Sequence, residues 1–189
     1  MTTDAPQAMA STPLYQQQPQ PVPATRRLLV SQSLVQPEVN ALQAALAQFA
    51  EPLQVLVLGE SAVDPVALDS VEAFAGPQLL RARLQTLLAT APVGTRLYLC
   101  GDEVFLWDCR QLAEEAGLLD EEIELFRTGA RRRLYCVHCA TFQDITDEAL
   151  SECTCCGVQL LVRTHFSRRL GAYMGVCSDP NLPRAEVRP

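Results

Sequence analysis

Lysine is absent from all 189 residues. Every side chain with a fixed positive charge is therefore an arginine, whose planar guanidinium suits bidentate carboxylate and phosphate partners. No apolar run approaches the ~20 residues of a membrane-spanning helix, and the N-terminus lacks the basic start and apolar block of a secretory signal. A soluble, cytoplasmic chain is expected, in a reducing compartment where persistent disulfides are rare. Histidine is scarce: His138 and His165 are the only two. Neither has a second catalytic group at a recognisable spacing, so no acid–base or nucleophilic machinery can be read from the sequence.

Cysteine, by contrast, is plentiful, with eight residues. Cys136-Val-His-Cys139 is followed after thirteen residues by Cys153-Thr-Cys-Cys156-Gly157. Each Cys-x-x-Cys turn directs two thiolates to one side of a tight loop, and two such turns supply the four corners of a tetrahedron around one Zn²⁺. Gly157 suits the turn because a left-handed conformation costs glycine little. A thioredoxin-like redox motif would use one Cys-x-x-Cys and leave the other unexplained. Iron remains a rival, since four thiolates also hold a single iron or an iron–sulfur cluster. With Cys155 between Cys153 and Cys156 and His138 inside the first turn, a Cys₃His set can be written, but the inner residues of such turns tend to point away. Zinc with four thiolates carries a formal charge of about −2, which Arg131, Arg132, Arg133 and Arg163 are placed to offset. Cys100, Cys109, Cys155 and Cys177 read as ordinary thiols.

The net charge of −7 is unevenly spread. Residues 1–126 hold six arginines against sixteen acidic residues, while residues 127–189 hold nine against six. Residues 1–26, rich in proline and glutamine, read as a disordered leader. From Arg27, strands at 28–30, 53–58, 97–100 and 123–126 alternate with helices at 37–49, from Asp64-Pro65, at 78–89 and at 102–116. The predicted fold is α/β: a three-layer Rossmann-like domain over 27–128 with a largely parallel sheet and right-handed crossovers. A small C-terminal zinc ribbon with strands at 140–145 and 158–164 is expected within 129–178, and 179–189 is a tail. The ribbon's core is so small that bound metal must supply much of its folding energy.

Residues 165–176 follow no clean helix or strand period. They combine two glycines, paired arginines and aromatics, which suits either a segment docking on a partner or a loop capping the ribbon. The candidate docking residues are His165, Phe166, Arg168, Arg169, Tyr173 and Met174.

Leu97-Tyr-Leu-Cys100-Gly101-Asp-Glu, then a helix, then Glu122-Ile-Glu-Leu-Phe126 resembles the last strand–helix–strand unit of ferredoxin-reductase-type nicotinamide nucleotide domains. That resemblance implies that Cys100 and Gly101 lie where the family places the nicotinamide. Asp102 stands where the family usually has proline, and Gly59-Glu-Ser lacks a glycine-rich phosphate turn. A vestigial nucleotide site is the expectation.

Tyr135-Cys-Val-His-Cys139, Cys153-Thr-Cys-Cys156-Gly and His165-Phe-Ser-Arg-Arg-Leu-Gly-Ala-Tyr-Met-Gly175 together resemble the small DmmA-type subunit of bacterial dimethylamine monooxygenases, over residues 27–178. The resemblance implies an accessory subunit of an NADPH-driven, haem-dependent complex that demethylates dimethylamine to methylamine and formaldehyde. Haem, flavin, iron–sulfur groups and NADPH would then reside on the catalytic haem subunit and the reductase subunit, and zinc on this chain. Neither histidine here lies in a haem-attachment motif. An electron-transfer subunit, with iron at the four cysteines or a bound nucleotide, is the alternative. A nucleic-acid-binding ribbon is a third reading, which the overall acidity disfavours.

Overall fold

The computed structural model describes residues 12–33, 37–59 and 70–179. The chain divides into two compact units, one of Tyr15–Ala130 and one running from Arg131 with the residues before Tyr15.

In the first unit, β1 (Arg26–Ser31), β2 (Leu53–Leu58), β3 (Ser70–Phe74), β4 (Thr95–Gly101) and β5 (Ile123–Arg127) form one sheet in the order β3-β2-β1-β4-β5. Every pairing is parallel. β1 and β2 are apolar on both faces and therefore occupy the middle. The helices are α1 (Pro37–Leu46), α2 (Pro77–Ala89) and α3 (Glu103–Glu115). Right-handed crossovers decide their faces. The chain moves outward from β1 to β2 through α1, then reverses from β3 to β4 through α2 and continues through α3, so α2 and α3 lie opposite α1.

Val39, Leu42 and Leu46 of α1 bury against Leu29, Val55, Val57 and Tyr98. The alternate strand residues, among them Leu28, Val30, Leu56, Leu97 and Leu99, are buried on the other face. There the expected stripe of α2, Leu80, Leu84, Leu87 and Leu88, is its buried side. Each such leucine contributes about 2 kcal/mol.

Two local features depart from the side-chain pattern. The start of the helix expected from Asp64-Pro65 lies outside the described residues, and Ser70–Phe74 is an edge strand. Val71 packs on the core, while Glu72 on the opposite side takes Arg83 through Nε and Nη2 at 2.7 and 2.8 Å. That alternation is too short to be visible between flanking helical patterns. The leader also behaves differently from residue 15 onward. It has no regular secondary structure up to β1, yet Gln16 N donates to Leu125 O (2.7 Å) and Thr25 N to Gly94 O (3.0 Å). Gln20 N donates to Glu124 Oε2 (2.9 Å). These bonds strap it across β5, and its prolines reduce the entropy lost in ordering it.

The second unit is a single five-stranded sheet of β6 (Arg132–Cys136), β7 (Phe142–Ile145), β8 (Leu150–Glu152), β9 (Gln159–Ser167) and β10 (Ala172–Cys177), in the order β7-β6-β10-β9-β8. β10 runs parallel to β6, and the other pairs are antiparallel. The two edges meet through one side chain. Gln143 of β7 donates from Nε2 to Ser151 Oγ (3.1 Å) and Glu152 O (2.9 Å), and its Oε1 accepts from Thr154 N (2.9 Å). The sheet thus curls into a nearly closed barrel around Leu134, Ile145, Val158, Leu160, Phe166 and Tyr173, all buried. Gln143→Ala removes all three bonds and is expected to destabilise this unit by about 1–3 kcal/mol. Faster amide hydrogen exchange in β7 and β8 would register the change, and unchanged protection would contradict it.

The irregular stretch 165–176 is the end of β9, a turn and β10. Gly175 pairs with Val162 but Tyr173 with Phe166, so β9 holds two extra residues between these pairs. This bulge breaks the two-residue period that otherwise marks a strand. Among the described residues, no helix is long and apolar enough to cross a membrane.

Candidate metal centre

The barrel brings the two cysteine turns together. Backbone bonds Ala140 N to Cys136 O and Gly157 N to Cys153 O, both 2.9 Å, close the two turns identically. Each turn exits through a left-handed residue, Ala140 at φ 59° and Gly157 at φ 67°. Glycine takes that conformation freely, whereas alanine is strained by about 1–2 kcal/mol. Ala140→Gly is therefore expected to stabilise the unit by up to ~1 kcal/mol, read as a higher melting temperature with unchanged metal content. A lower one would contradict this account of the turn.

The sulfurs of Cys136, Cys139, Cys153 and Cys156 all lie within 4.8 Å of one another. Cys136 and Cys156 are 3.9 Å apart, and Cys139 and Cys153 3.6 Å. A tetrahedron with metal–sulfur bonds of about 2.3 Å has edges of about 3.8 Å. The four cysteines are thus already spaced for one ion. In a multi-iron cluster thiolates attach to different irons and stand further apart. The side chains of His138 and Cys155 are exposed and outside this set, while backbone groups of both turn residues bond the thiolates of Cys136 and Cys153. None of the eight cysteines forms a disulfide.

The surroundings tune the sulfurs. Thr141, which the sequence did not single out, places its hydroxyl 2.9 Å from Cys139 Sγ. That contact first, then the neighbouring thiols, lowers the Cys139 pKa to about 6. Burial pushes Cys156 up to about 12. Against its burial, the Cys153 thiol is lowered as well, by hydrogen bonds from the Cys156 and Cys155 backbone, and any protons the cluster holds would leave when a cation replaces them.

Three of the four arginines expected to balance the thiolates are engaged elsewhere, and the fourth, Arg163, is exposed on β9. Arg131 pairs with Asp144 (3.1 Å). Arg132 donates to Thr146 O (2.6 Å) and Glu148 O (3.3 Å) and lies over the Tyr173 ring. Arg133 lies over Phe142, and Arg132 and Arg133 both sit at the opposite end of β6 from Cys136.

In the first unit, Cys100 and Gly101 end β4 at the carboxyl edge of the sheet. They lie beside β1, where the strand order reverses and α/β folds generally bind ligands. A pocket of about 610 Å³ opens there, lined by Cys100, Phe126, Phe49 and Glu38 and by Gln16 and Gln18 of the leader. The approach to Gly101 is filled. A Cβ on it would meet Phe105 Cδ1 at 2.7 Å and Gln32 Oε1 at 2.9 Å. Gln32 Nε2 donates to Asp102 Oδ2, and Asp102 N to Gln32 Oε1, both at 2.8 Å. Asp102 Oδ1 accepts from Phe105 N (2.9 Å), capping α3. The helix N-terminus that would attract a phosphate already faces a carboxylate. Burial pushes the Cys100 thiol up to about 12, so it is no nucleophile at neutral pH. Gly59, after β2, has φ 105°, and the following residues of that loop lie outside those described.

The segment singled out for docking is mixed in exposure. Phe166 and Tyr173 are buried edge to face, with ring centroids 5.0 Å apart. Met174 is half-buried, and His165, Arg168 and Arg169 are exposed.

A family model for the N-terminal domain of dimethylamine monooxygenase subunit DmmA-like proteins matches residues 7–123, and the model for their C-terminal domain matches residues 133–176. The chain is 43% identical over 167 residues to a heme-dependent oxidative N-demethylase delta subunit of Ectopseudomonas mendocina (strain ymp), covering 88% of this chain and 87% of that one. Among solved structures, phthalate dioxygenase reductase is 13% identical with a TM-score of 0.41 over 71% of this chain and 46% of its own. The siderophore-interacting protein SipS from Aeromonas hydrophila is 13% identical with a TM-score of 0.38 over 57% of this chain and 53% of its own.

Proposed function

Since the chain belongs to the DmmA-like family of dimethylamine monooxygenase subunits, we propose that it is an accessory, non-catalytic subunit of a haem-dependent oxidative N-demethylase. The complex converts dimethylamine, O₂, NADPH and a proton to methylamine, formaldehyde, NADP⁺ and water. Haem, flavin, iron–sulfur groups and NADPH reside on the catalytic haem and reductase subunits. This chain's own metal is one structural Zn²⁺ held by Cys136, Cys139, Cys153 and Cys156. The observation that carries the reading is the closed set of four sulfurs, none more than 4.8 Å from another. It has no open coordination position at which substrate or oxygen could bind. Zinc has no redox chemistry, so the site organises the barrel and transfers no electrons.

The Gln32–Asp102 pair supports the absence of nucleotide chemistry, because an anionic pyrophosphate would meet the Asp102 carboxylate at the N-terminus of α3. Cys100 and Gly101 are vestigial. The isolated chain should show no heat of NADPH binding at micromolar concentrations, and NADPH-dependent formaldehyde release should need the companion subunits. Micromolar binding, or turnover by this chain alone, would overturn the reading. The same four sulfurs also suit a single iron, which would instead make the chain an electron carrier.

A further inference from the structure

The two cysteine turns share one backbone and differ in one side chain. Cys136 N donates to Thr141 O and Cys153 N to Val158 O, both at 2.9 Å. Thr141 and Val158 therefore occupy equivalent positions, each two residues after the second cysteine of its turn. Val158 is buried in the barrel and has no polar side-chain atom, so this position closes a turn without a hydroxyl. Threonine has the shape of valine with one methyl replaced by oxygen. The Thr141 hydroxyl lies 2.9 Å from Cys139 Sγ and 3.9 Å from Cys153 Sγ, reaching one sulfur from each turn. In the second turn, the sulfur equivalent to Cys139 is that of Cys156, which takes a hydrogen bond from the Val158 backbone.

A bound ion fixes the direction of the Thr141 contact. Metal-bound sulfurs are thiolates with no proton to give, so the hydroxyl must donate and the sulfur accept. Cys139 is also one of the two less covered ligands, with Cys156, whereas Cys136 and Cys153 are buried. A half-buried ligand is the one that water and competing chelators reach first. We propose that Thr141 is a positioning residue for the metal, whose hydroxyl donates to the Cys139 sulfur, aims that ligand at the ion and holds it there. The proposal rests on the reading of Cys136, Cys139, Cys153 and Cys156 as one ion site. Removing a group that orients a metal ligand typically weakens metal binding by about 10–100-fold. The donated hydrogen also draws electron density from the sulfur, which raises the energy of sulfur-to-metal charge transfer.

The test uses the full chain. T141V gives the first turn the side chain of the second, T141A removes the hydroxyl with less bulk, and T141S keeps it. In saturating zinc, all three should fold, with wild-type amide protection in β6–β10. Competition against a chromogenic chelator should show T141V and T141A holding zinc about tenfold more weakly than the wild type, and T141S holding it as the wild type does. In the cobalt-substituted chain, the sulfur-to-cobalt charge-transfer bands of T141V and T141A should move to longer wavelength and those of T141S should not, a shift that lost packing alone does not produce. Wild-type affinity or unmoved bands in T141V would overturn the proposal. So would bands that T141S leaves displaced, or hydroxyl-free variants that stay unfolded in saturating zinc. A wild-type chain whose cobalt form lacks a four-sulfur spectrum would instead remove the ion-site reading beneath it.

Discussion

Cys139→Ser is expected to release the metal and unfold the unit from Arg131 onward, while leaving the first unit intact. A serine oxygen replaces one of the four sulfurs, and the other three cannot close the tetrahedron. Structural zinc supplies on the order of 10 kcal/mol coupled to folding, more than a barrel interior of six large side chains can replace. The two units can be read separately. Trp107, the only tryptophan, is buried in α3, so its emission should stay native while β-sheet circular dichroism and amide protection in β6–β10 fall. Metal content should drop below a tenth of an ion per chain. Native protection of β6–β10 in a metal-free variant would show that the barrel stands without its ion.

The second large effect lies at Arg27, which is 1% exposed on β1. Its guanidinium donates to the Tyr98 hydroxyl, to Val22 O (2.8 Å) and to Glu51 Oε2 (3.2 Å). It also stacks over the Phe49 ring, 3.9 Å from the centroid. One side chain thereby ties the leader, β1, β4 and the end of the α1 segment together. Arg27→Ala is expected to cost about 3 kcal/mol, chiefly because the buried Tyr98 hydroxyl loses its donor and the vacated volume cannot be filled. Glu51, at the surface, turns to water and adds little. Urea unfolding followed by Trp107 emission checks the value. A double variant, Arg27→Met with Tyr98→Phe, fills the volume and removes both polar ends, so it should recover part of the loss. If Arg27→Ala unfolds at the wild-type urea concentration, this network does not hold the unit together.

Much of the first unit could be read from side-chain period alone. Leu53–Leu58, apolar on both sides, became a central strand, and the leucines of α2 became its buried face. β3 escaped because five residues beside a Gly-Pro break carry too little alternation. The ordered leader escaped because glutamine and proline signal no period, and the bonds that hold it come from β5 and β1, distant in sequence. The grouping of Cys136, Cys139, Cys153 and Cys156 was legible because paired Cys-x-x-Cys turns keep a short spacing. Thr141 and Gln143 were not, since a hydroxyl against sulfur and an amide joining two sheet edges depend on how the barrel curls. The β9 bulge hid a hairpin that appeared as an irregular segment. The Gln32–Asp102 pair spans residues 70 apart, which no local pattern records.

Elemental analysis with a visible absorption spectrum of the purified full chain tests the central claim most directly. A structural zinc subunit predicts one zinc per chain, no iron and no visible absorption. One iron per chain with thiolate charge-transfer bands would contradict it, and would make the four cysteines part of the electron path.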